Sequence, residues 1–465
     1  MKKEVDVAII GAGSAGLYAL SQVRKETDNF LVINNGPYGT TCARVGCMPS
    51  KSLIRIAEYY HEREYFEKSG IQNSEKLTIS MPDVLKRVRK HRDILVDGNI
   101  KNITRLGDKV LSGRAEFIDA NRLKVGDDEI VAKKIIIATG STPVFDPKWE
   151  TFKEHILTTD ELFEQEDIPS TLGVLGLGVI GLELGQALSR LGIKVTAVHS
   201  KEFIGGLSDP DVNENMLALC KREFDIWIGG GRAVLSKVND KIKITHDNNE
   251  VLVDKVLVAI GRKPNLENLK LENLGLDLDK RGMPHFDSQT MQVEDLPIYI
   301  AGDVNAERPL LHEAADEGRI AGYNAVKSQK SFKRKVPLAI VFTDPNIALI
   351  GKSYHEIKED GNVIICSYDF KQQGRAFLMN KNAGLASLYV QKGDGLLLGA
   401  QIAAPHGEHL AHHLAWAMEQ ELTVHDMLKL PFYHPTLEEG LYTLLLKCVK
   451  KLGLNKEGIL EVSYT

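Results

Sequence analysis

The fold is decided near the N-terminus by residues 5–16, which read VDVAIIGAGSAG. The apolar, β-branched run Val5–Ile10 predicts a buried parallel strand. It leads directly into a G-x-G-x-x-G pattern formed by Gly11, Gly13 and Gly16, and a helical pattern follows. The first glycine permits a tight turn, the second lets a pyrophosphate approach the backbone, and the third allows the helix to pack closely on the strand. This stretch therefore predicts a Rossmann-like unit that binds a dinucleotide at a helix N-terminus.

The candidate site for this first dinucleotide extends to the next strand, Phe30–Ile33. Such a strand commonly ends in an acid that binds the adenosine ribose, but here the position is Asn34. Asparagine still accepts and donates hydrogen bonds, so we keep Asn34 in the predicted site. Ser14 and Ala15, at the start of the helix, are also candidates.

A second fingerprint follows in residues 172–185. The strand Leu172–Leu175 leads into a glycine loop and a helix, and the candidate contacts are Gly176, Gly178, Val179, Ile180 and Gly181. Two such motifs, each between a strand and a helix, predict two dinucleotides held by two domains. The strand after the second loop ends at His199, with Lys201 close behind. Without a carboxylate there, nothing repels a 2′-phosphate, and both NAD and NADP remain open.

A pair of cysteines lies about 30 residues after the first glycine loop, in the run TCARVGCMPSK of residues 41–51. On a regular helix the Cα atoms of Cys42 and Cys47 would be roughly 8.7 Å apart, whereas a disulfide needs less than about 7 Å. Gly46 and Pro49 permit an irregular turn that brings the sulfurs together. Next to a cofactor loop, the pair predicts a disulfide that is made and broken during turnover.

The composition is that of a folded chain with several apolar cores. The chain has 465 residues, 43% of them hydrophobic and 26% charged, which predicts about three domains. Its formal net charge of −5 disfavours nonspecific binding to nucleic acid or anionic membranes. Five cysteines in so long a chain indicate a reducing compartment, and we expect the cytoplasm.

The N-terminus raises the question of a signal peptide, because Met1-Lys2-Lys3 precedes an apolar stretch. Glu4 and Asp6 interrupt that pattern, and cleavage would destroy the glycine fingerprint, so we do not expect secretion. No apolar run approaches the ~20 residues of a membrane span, and we expect no membrane insertion.

Further motifs follow in order along the chain. They are ATGS at 138–141, GRKPN at 261–265, IYIAGDV at 298–304, TDP at 343–345 and HPTLEE at 434–439. With these and the C-x4-C-x-P-S-K segment, the chain resembles the class I pyridine nucleotide–disulfide oxidoreductases, flavoproteins that include dihydrolipoamide dehydrogenase, glutathione reductase and mercuric reductase.

The resemblance implies an α/β fold with two Rossmann-like, three-layer nucleotide-binding domains and a C-terminal α+β dimerisation domain. We expect an FAD-binding domain at 1–148, an NAD(P)-binding domain at 149–266, the second part of the FAD-binding domain at 267–337 and the dimerisation domain at 338–465. Within the first domain, the alternation of polar and apolar residues from Lys109 to Ile130 predicts a small β-meander.

The resemblance also implies a mechanism. Electrons pass between a nicotinamide and FAD, and from FAD to the cysteine pair. By analogy, Cys47 is the thiol next to the flavin and Cys42 the interchange thiol. His434 matches the base, Glu439 matches the acid that orients it, and in the family both come from the partner subunit of a homodimer.

The remaining site residues are carried over from the same family motifs. Lys51 and Glu183 match an ion pair beside the reactive edge of the flavin, and Asp303 matches the carboxylate that binds the ribityl chain. The other candidates for cofactor contact are Thr41, Ala115, Thr139, Gly140, Gly261 and Leu311.

A group of histidines near the C-terminus suggests a metal site at first sight. His406, His409, His412 and His413 cluster with Glu408 in a predicted helix. The H-E-x-x-H order is absent, and the flanking apolar residues indicate an amphipathic interface helix. We therefore expect no metal.

The resemblance implies a substrate that is a small-molecule or protein-borne disulfide or dithiol. The pattern around Pro49–Lys51 and Leu310–Gly318 is most similar to dihydrolipoamide dehydrogenases. The residues before His434 and the segment Ala403–His406 depart from that pattern. An alternative is therefore a reductase of another low-molecular-weight disulfide, similar to glutathione reductase. A flavin-bound redox sensor with little turnover is a third possibility.

Overall fold

The computed structural model describes residues 1–453. Three of its sheets have five or more strands, and each of the three is covered by helices. Within the described residues, no helix is both long and apolar enough to cross a membrane.

The first sheet is built mainly from the N-terminal third of the chain. The elements there are β1 (Lys2–Ile10), α1 (Ser14–Val23), β2 (Phe30–Asn34), α2 (Thr41–Arg44), α3 (Cys47–His61), α4 (Met81–Thr104), β3 (Val110–Ser112), β4 (Ala115–Asp119), β5 (Arg122–Val125) and β6 (Asp128–Ile137). β1 pairs in parallel with β2 and β6, and β2 with β3. β4, β5 and β6 form an antiparallel meander, which confirms the meander predicted in this region. The predicted range also included β3, which instead pairs in parallel with β2.

The second unit repeats the parallel arrangement. Its elements are β7 (Ser141–Pro143), β8 (Ile156–Leu157), α5 (Thr159–Leu162), β9 (Thr171–Leu175), α6 (Val179–Arg190), β10 (Lys194–His199), α7 (Pro210–Cys220), β11 (Asp225–Ile228), β12 (Val234–Val238), β13 (Lys241–His246), β14 (Asn249–Val253), β15 (Lys255–Val258) and β16 (Arg262–Pro264). The strand order is β11-β10-β9-β15-β8, all parallel, and β12–β14 form a separate antiparallel sheet. β7 and β16 pair with each other, so the chain enters and leaves this unit through two adjacent strands.

The C-terminal part returns once to the first sheet and then forms a third unit. Its elements are β17 (Ile298–Ile300), α8 (Leu311–Val326), β18 (Leu338–Val341), β19 (Asn346–Gly351), α9 (Tyr354–Ile357), β20 (Val363–Asp369), α10 (Gly374–Leu378), β21 (Leu385–Gln391), β22 (Leu397–Ala404), α11 (Gly407–Glu419), α12 (Val424–Leu428) and α13 (Glu439–Leu452). β17 pairs in parallel with β6. The other five strands form one antiparallel sheet, in the order β18-β19-β22-β21-β20.

This architecture confirms the predicted fold class, with two Rossmann-like units and a C-terminal α+β unit. The predicted domain limits at 148/149, 266/267 and 337/338 stay predictions, and we propose them as the working boundaries. The end of the last domain, 454–465, lies outside the described residues.

Helix α3, which begins at Cys47, is anchored between α4 and the helix of the second glycine loop. Leu53 and Ala57 are buried in one apolar core with Leu182 and Leu188 of α6. A fully buried leucine contributes about 1.5–3 kcal/mol relative to an exposed one. The core therefore fixes the cysteine-bearing helix relative to the second nucleotide loop.

Helices α1 and α8 approach so closely that only glycine fits at their contact. A Cβ on Gly318 would lie 2.3 Å from the carbonyl oxygen of Ala15, and one on Gly322 would lie 2.4 Å from that of Ala19. This contact holds α8, which begins at Leu311, against the helix of the first glycine loop.

Candidate functional site

The two cysteines lie on either side of a break between helices. Cys42 is in the short α2 and Cys47 is the first residue of α3, so the predicted irregular turn is present. Gly46 allows the close return of the chain, because a Cβ there would be 3.1 Å from the carbonyl oxygen of Thr41 and 3.2 Å from the Cα of Cys42. The structure thus places the two thiols in contact, hydrogen-bonded to each other.

The contact shifts the pKa values of the two thiols in opposite directions. The hydrogen bond between them, together with burial, raises the pKa of Cys42. The pKa of Cys47 is lowered to about 7 by the same hydrogen bond and by the positive charge of Lys51, which together outweigh the opposing effect of burial. Since a thiolate is the reactive form in thiol–disulfide exchange, Cys47 is the thiol that carries the negative charge near neutral pH.

Lys51 is held one turn along α3 by a buried carboxylate of the second unit. Its Nζ lies 2.7 Å from Oε2 of Glu183, whose side chain is 3% exposed. The other oxygen, Oε1, accepts a hydrogen bond of 2.8 Å from the backbone N–H of Phe342. The Phe342 ring lies 4.7 Å from the Lys51 Nζ. A buried charge pair of this kind needs such additional partners, and here they join three parts of the chain at the cysteine helix.

The first glycine loop has the shape that a pyrophosphate requires. A Cβ on Gly11 would lie 2.2 Å from the carbonyl oxygen of Ala138, and one on Gly16 would lie 2.0 Å from that of Gly11. In contrast, a Cβ on Gly13 meets nothing within 4 Å. The outer glycines are therefore required by packing, while the middle one faces open space where a ligand can approach.

The second glycine loop repeats this shape. Cβ atoms on Gly176 and Gly181 would lie 2.4 Å and 1.9 Å from backbone oxygens of Ala259 and Gly176, and Gly178 is open. Val179 and Ile180 begin the helix that follows. Gly261, beyond the end of β15, has a φ of +124° and is also unobstructed. Both loops fit a dinucleotide on the evidence of their own packing.

The residues at the two strand ends bind the glycine loops. Oδ1 of Asn34 accepts a 3.1 Å hydrogen bond from the backbone N–H of Ala12. In the same way, Nδ1 of His199 accepts one of 3.2 Å from Leu177 N–H, which leaves Nε2 to donate to the carbonyl oxygen of Phe203 at 3.1 Å. Each side chain thus stabilises the loop that its strand faces.

His199 neither repels nor attracts a 2′-phosphate through its charge. Burial lowers the pKa of His199, and Nδ1, which accepts the hydrogen bond from Leu177, carries no proton. The exposed Lys201 is the remaining cation of that pair of predicted residues.

A series of hydrogen bonds connects Asp303 with Ser141 of β7 and Arg262 of β16. The hydroxyl of Ser141 donates to Oδ2 of Asp303 at 2.9 Å and accepts from Nε of Arg262 at 2.9 Å. Nearby, the Thr139 hydroxyl donates to the carbonyl oxygen of Asn265 at 2.8 Å. Asp303 is therefore positioned by both strands of the β7–β16 ribbon.

The other predicted cofactor contacts lie at the ends of elements. Ala115 is buried at the start of β4, Gly140 has a left-handed φ of +69°, and Leu311 begins α8 and is 42% exposed. Thr41 begins α2, and Ser14 and Ala15 begin α1. Their roles stay predictions.

His434 and Glu439 form a pair at the start of α13. Nδ1 of His434 lies 2.8 Å from Oε1 of Glu439, and Oε2 accepts a 2.9 Å hydrogen bond from the backbone N–H of Thr436. The hydrogen bond from His434 is the main reason that the pKa of Glu439 is lowered. The His434 side chain is 82% exposed, and among the described residues no hydrogen bond or ion pair joins it to Cys42 or Cys47.

Several contacts were not predicted from the sequence. The backbone of Phe342 completes the Lys51–Glu183 pair, and Arg262 supports Asp303 through Ser141. Arg262 lies inside the GRKPN motif and Phe342 directly precedes the TDP motif, so these motifs were the only signal in the sequence.

Two further cysteines lie together in the C-terminal unit. The thiols of Cys366 in β20 and Cys448 in α13 are hydrogen-bonded. Cys366 lines a cavity of about 570 Å³ with Lys447 and Lys451. No sequence motif links these cysteines.

Comparison with known proteins gives two family matches that together cover most of the chain. Residues 5–318 match the pyridine nucleotide-disulphide oxidoreductase family, and residues 337–445 match the dimerisation domain of the pyridine nucleotide-disulphide oxidoreductases. The chain is 31% identical over 453 residues to a dihydrolipoyl dehydrogenase of Geobacillus stearothermophilus, and 30% identical over 454 residues to one of Haloferax volcanii. Each alignment covers 94% of this chain and 94% of the relative.

Solved structures show the same fold. The Cu(II) complex of the HOCl-induced flavoprotein disulfide reductase RclA from Escherichia coli superposes with a TM-score of 0.84 at 24% identity, covering 96% of this chain and 99% of that one. LpdA from Mycobacterium tuberculosis has a TM-score of 0.82 at 24% identity, covering 95% and 99%. At this identity the likeness concerns the fold.

Proposed function

This chain belongs to the pyridine nucleotide-disulphide oxidoreductases, and from that premise we propose that it transfers electrons between a nicotinamide coenzyme and a disulfide through FAD and the Cys42–Cys47 pair. The observation that carries the proposal is the hydrogen-bonded thiol pair at the start of α3, beside Lys51. The chain is a flavoprotein that uses FAD and NAD(P), and it forms a homodimer through its dimerisation domain.

The two glycine loops supply the cofactor sites in this proposal. Gly11, Gly13 and Gly16 with Asp303 hold FAD, and the loop that contains Gly178 holds the nicotinamide coenzyme. Bound FAD supplies the redox chemistry that opens the disulfide. The chain itself positions the reacting sulfur and controls its charge.

Cys47 and Lys51 form the inner part of the proposed mechanism. When the disulfide is opened, Cys47 carries the negative charge, because its pKa is lowered by the Cys42 thiol and by Lys51. Glu183 keeps the lysine beside it. Cys42 is the outer thiol, whose raised pKa means that a base must take its proton before it attacks a substrate disulfide.

His434 is the proposed base, and Glu439 orients it. Oε1 of Glu439 at 2.8 Å from Nδ1 leaves Nε2 of the imidazole free to take the proton and stabilises the resulting cation. We propose that this pair serves the cysteines of the partner subunit, since the ring is exposed in the single chain and the chain is a homodimer.

The proposed substrate is dihydrolipoamide or lipoamide, free or carried by a protein. Relatives at 31% and 30% identity, aligned over nearly the full length, are named dihydrolipoyl dehydrogenases. Another low-molecular-weight disulfide is the second candidate, because Tyr433, next to the proposed base, is 80% exposed and departs from the lipoamide pattern. We place the reaction in the cytoplasm, where thiols are kept reduced.

A steady-state assay decides between these substrates. Lipoamide, glutathione disulfide and a panel of other disulfides are each reduced with NADH and with NADPH, and kcat/KM is compared. A preference for lipoamide supports the first candidate. Activity confined to another disulfide supports the second candidate instead. Reduction of the flavin by the coenzyme without turnover of any disulfide indicates the redox sensor.

A further inference from the structure

A cluster of three side chains lies at the turn between β22 and α11, in the C-terminal unit. It consists of His406, Glu408 and His409. His406 precedes the helix in a left-handed conformation, with a φ of +48°, which is uncommon for a residue other than glycine. The two imidazole rings are stacked, with centroids 6.0 Å apart and planes inclined by 23°. The turn thus folds both histidines over the same carboxylate.

The nitrogen and oxygen atoms of this cluster lie close together. Oε1 of Glu408 lies 3.7 Å from Nδ1 of His406 and 3.5 Å from Nε2 of His409. One ligand atom from each of the three residues lies within 4.8 Å of the other two. Tetrahedral zinc, with bonds of about 2.0–2.1 Å, separates its ligand atoms by roughly 3.3 Å. Two of the separations are already close to that value.

The second oxygen of Glu408 gives an independent indication. Oε2 is buried, and among the described residues it has no hydrogen-bond partner. Buried carboxylate oxygens are rarely left unpaired. An ion pair with the two imidazoles through Oε1 leaves this oxygen unsatisfied, whereas a bound cation can engage it.

We propose that the cluster of His406, Glu408 and His409 binds one divalent transition-metal ion per chain. Two imidazoles and a carboxylate suit Zn²⁺ and similar ions better than Mg²⁺ or Ca²⁺, which prefer oxygen ligands throughout. Water completes the coordination. This proposal departs from the expectation of no metal, which rested on the absence of the H-E-x-x-H order and on the apolar residues that flank the histidines. The left-handed turn at His406 brings the ligands together without that order.

The neighbouring histidines do not join the cluster. Nδ1 of His412 donates to the backbone carbonyl oxygen of Glu408 at 2.6 Å. The ring of His413 lies against Trp416, with centroids 6.0 Å apart. His413 is therefore a matched control, since it lies on the same helix and has the same side-chain chemistry.

The test is equilibrium dialysis of the FAD-loaded, full-length protein against Zn²⁺, followed by metal analysis. The protein carries no oligohistidine tag and is kept oxidised, so that Cys42 and Cys47 provide no thiolates. We expect saturable binding of one Zn²⁺ per chain. His406→Gln, Glu408→Gln and His409→Gln should each weaken the affinity by roughly tenfold or more, and His413→Gln should leave it unchanged.

Three results would overturn the proposal. They are the absence of saturable Zn²⁺ binding, binding that survives all three cluster substitutions, and an equal loss in His413→Gln. Flavin content and dimer size are measured for each variant, so that a loss of binding through misfolding is recognised. Because the readout is bound metal, the result is independent of the proposed disulfide substrate.

Discussion

An active site shared between two subunits predicts that two inactive variants restore each other. Cys42→Ser removes the outer thiol, and we expect it to abolish disulfide reduction while leaving reduction of the flavin by the nicotinamide coenzyme intact. His434→Gln removes the proposed base, and we expect it to slow exchange by roughly 10²–10⁴-fold without loss of FAD. Each homodimer is then nearly inactive for a different reason.

The size of the recovery follows from the two-fold symmetry of a homodimer. In a heterodimer of the two variants, one site combines Cys42→Ser with His434→Gln, and the other combines intact Cys42 with intact His434. Random reassortment of equal amounts makes about half of the dimers heterodimers, each with one working site of two. The mixture should therefore recover about a quarter of the wild-type activity.

The assay is disulfide reduction by the two variants before and after they are denatured and refolded together. Differently tagged chains allow heterodimers to be isolated and counted, and each variant refolded alone is the control. If confirmed heterodimers show no more activity than the homodimers, the reasoning fails. Full activity in a verified monomer would contradict it more directly.

Three further changes test other parts of the site. His199→Glu introduces a carboxylate at the second strand end, which repels the 2′-phosphate of NADPH. At ~5 Å and an effective dielectric constant of ~20, this pair of like charges costs ~3 kcal/mol. The kcat/KM ratio of NADH to NADPH should therefore rise by at least roughly tenfold after screening. Lys51→Met removes the cation that lowers the pKa of Cys47, so the pH profile for alkylation of Cys47 in the reduced enzyme should move upward from about 7 and the rate at pH 7 should fall. Gly16→Ala places a Cβ 2.0 Å from a backbone oxygen and should destabilise the fold by about 1–3 kcal/mol in denaturant titrations, whereas Gly13→Ala meets no protein atom and should reduce FAD content alone.

Each of these variants has a matched control. His199→Gln keeps a hydrogen-bond acceptor without a charge and should change the coenzyme ratio less than His199→Glu. A wild-type enzyme that already prefers NADH by several hundredfold would show that the interpretation of this strand end is wrong. Lys51→Arg keeps the positive charge. An equal shift of the alkylation profile in both lysine variants would show that this charge is not what lowers the pKa of Cys47. Equal destabilisation by Gly13→Ala and Gly16→Ala would contradict the assignment of the open face.

Much of the first site was predictable because its signals are local. A strand, a glycine turn and a helix depend on contacts between residues close together in the sequence. The sequence pattern therefore predicted the strands that end near Ile10 and Leu175 and the helices that follow. The break between Cys42 and Cys47 was predicted in the same way, since Gly46 and Pro49 disfavour a continuous helix.

Pairings between distant residues could be expected only through family resemblance, and several were not expected at all. No local pattern states that Phe342 donates to Glu183, that Arg262 supports Asp303 through Ser141, or that Cys366 meets Cys448. Which chain segments meet depends on the order of strands in the sheets and on the packing of whole helices.

The sequence by itself determined which chemical groups this protein has and in which local turns they lie, because steric limits on the backbone act over a few residues. Only the tertiary structure decided what those groups do to each other. His199 is neutral because burial lowers the pKa of its ring and because Nδ1 accepts a hydrogen bond from the backbone N–H of Leu177. Likewise, His406, Glu408 and His409 became a candidate metal site because a left-handed turn at His406 places both imidazoles near one carboxylate. Charge and coordination depend on distances of a few ångströms, and those distances are set by the packed fold.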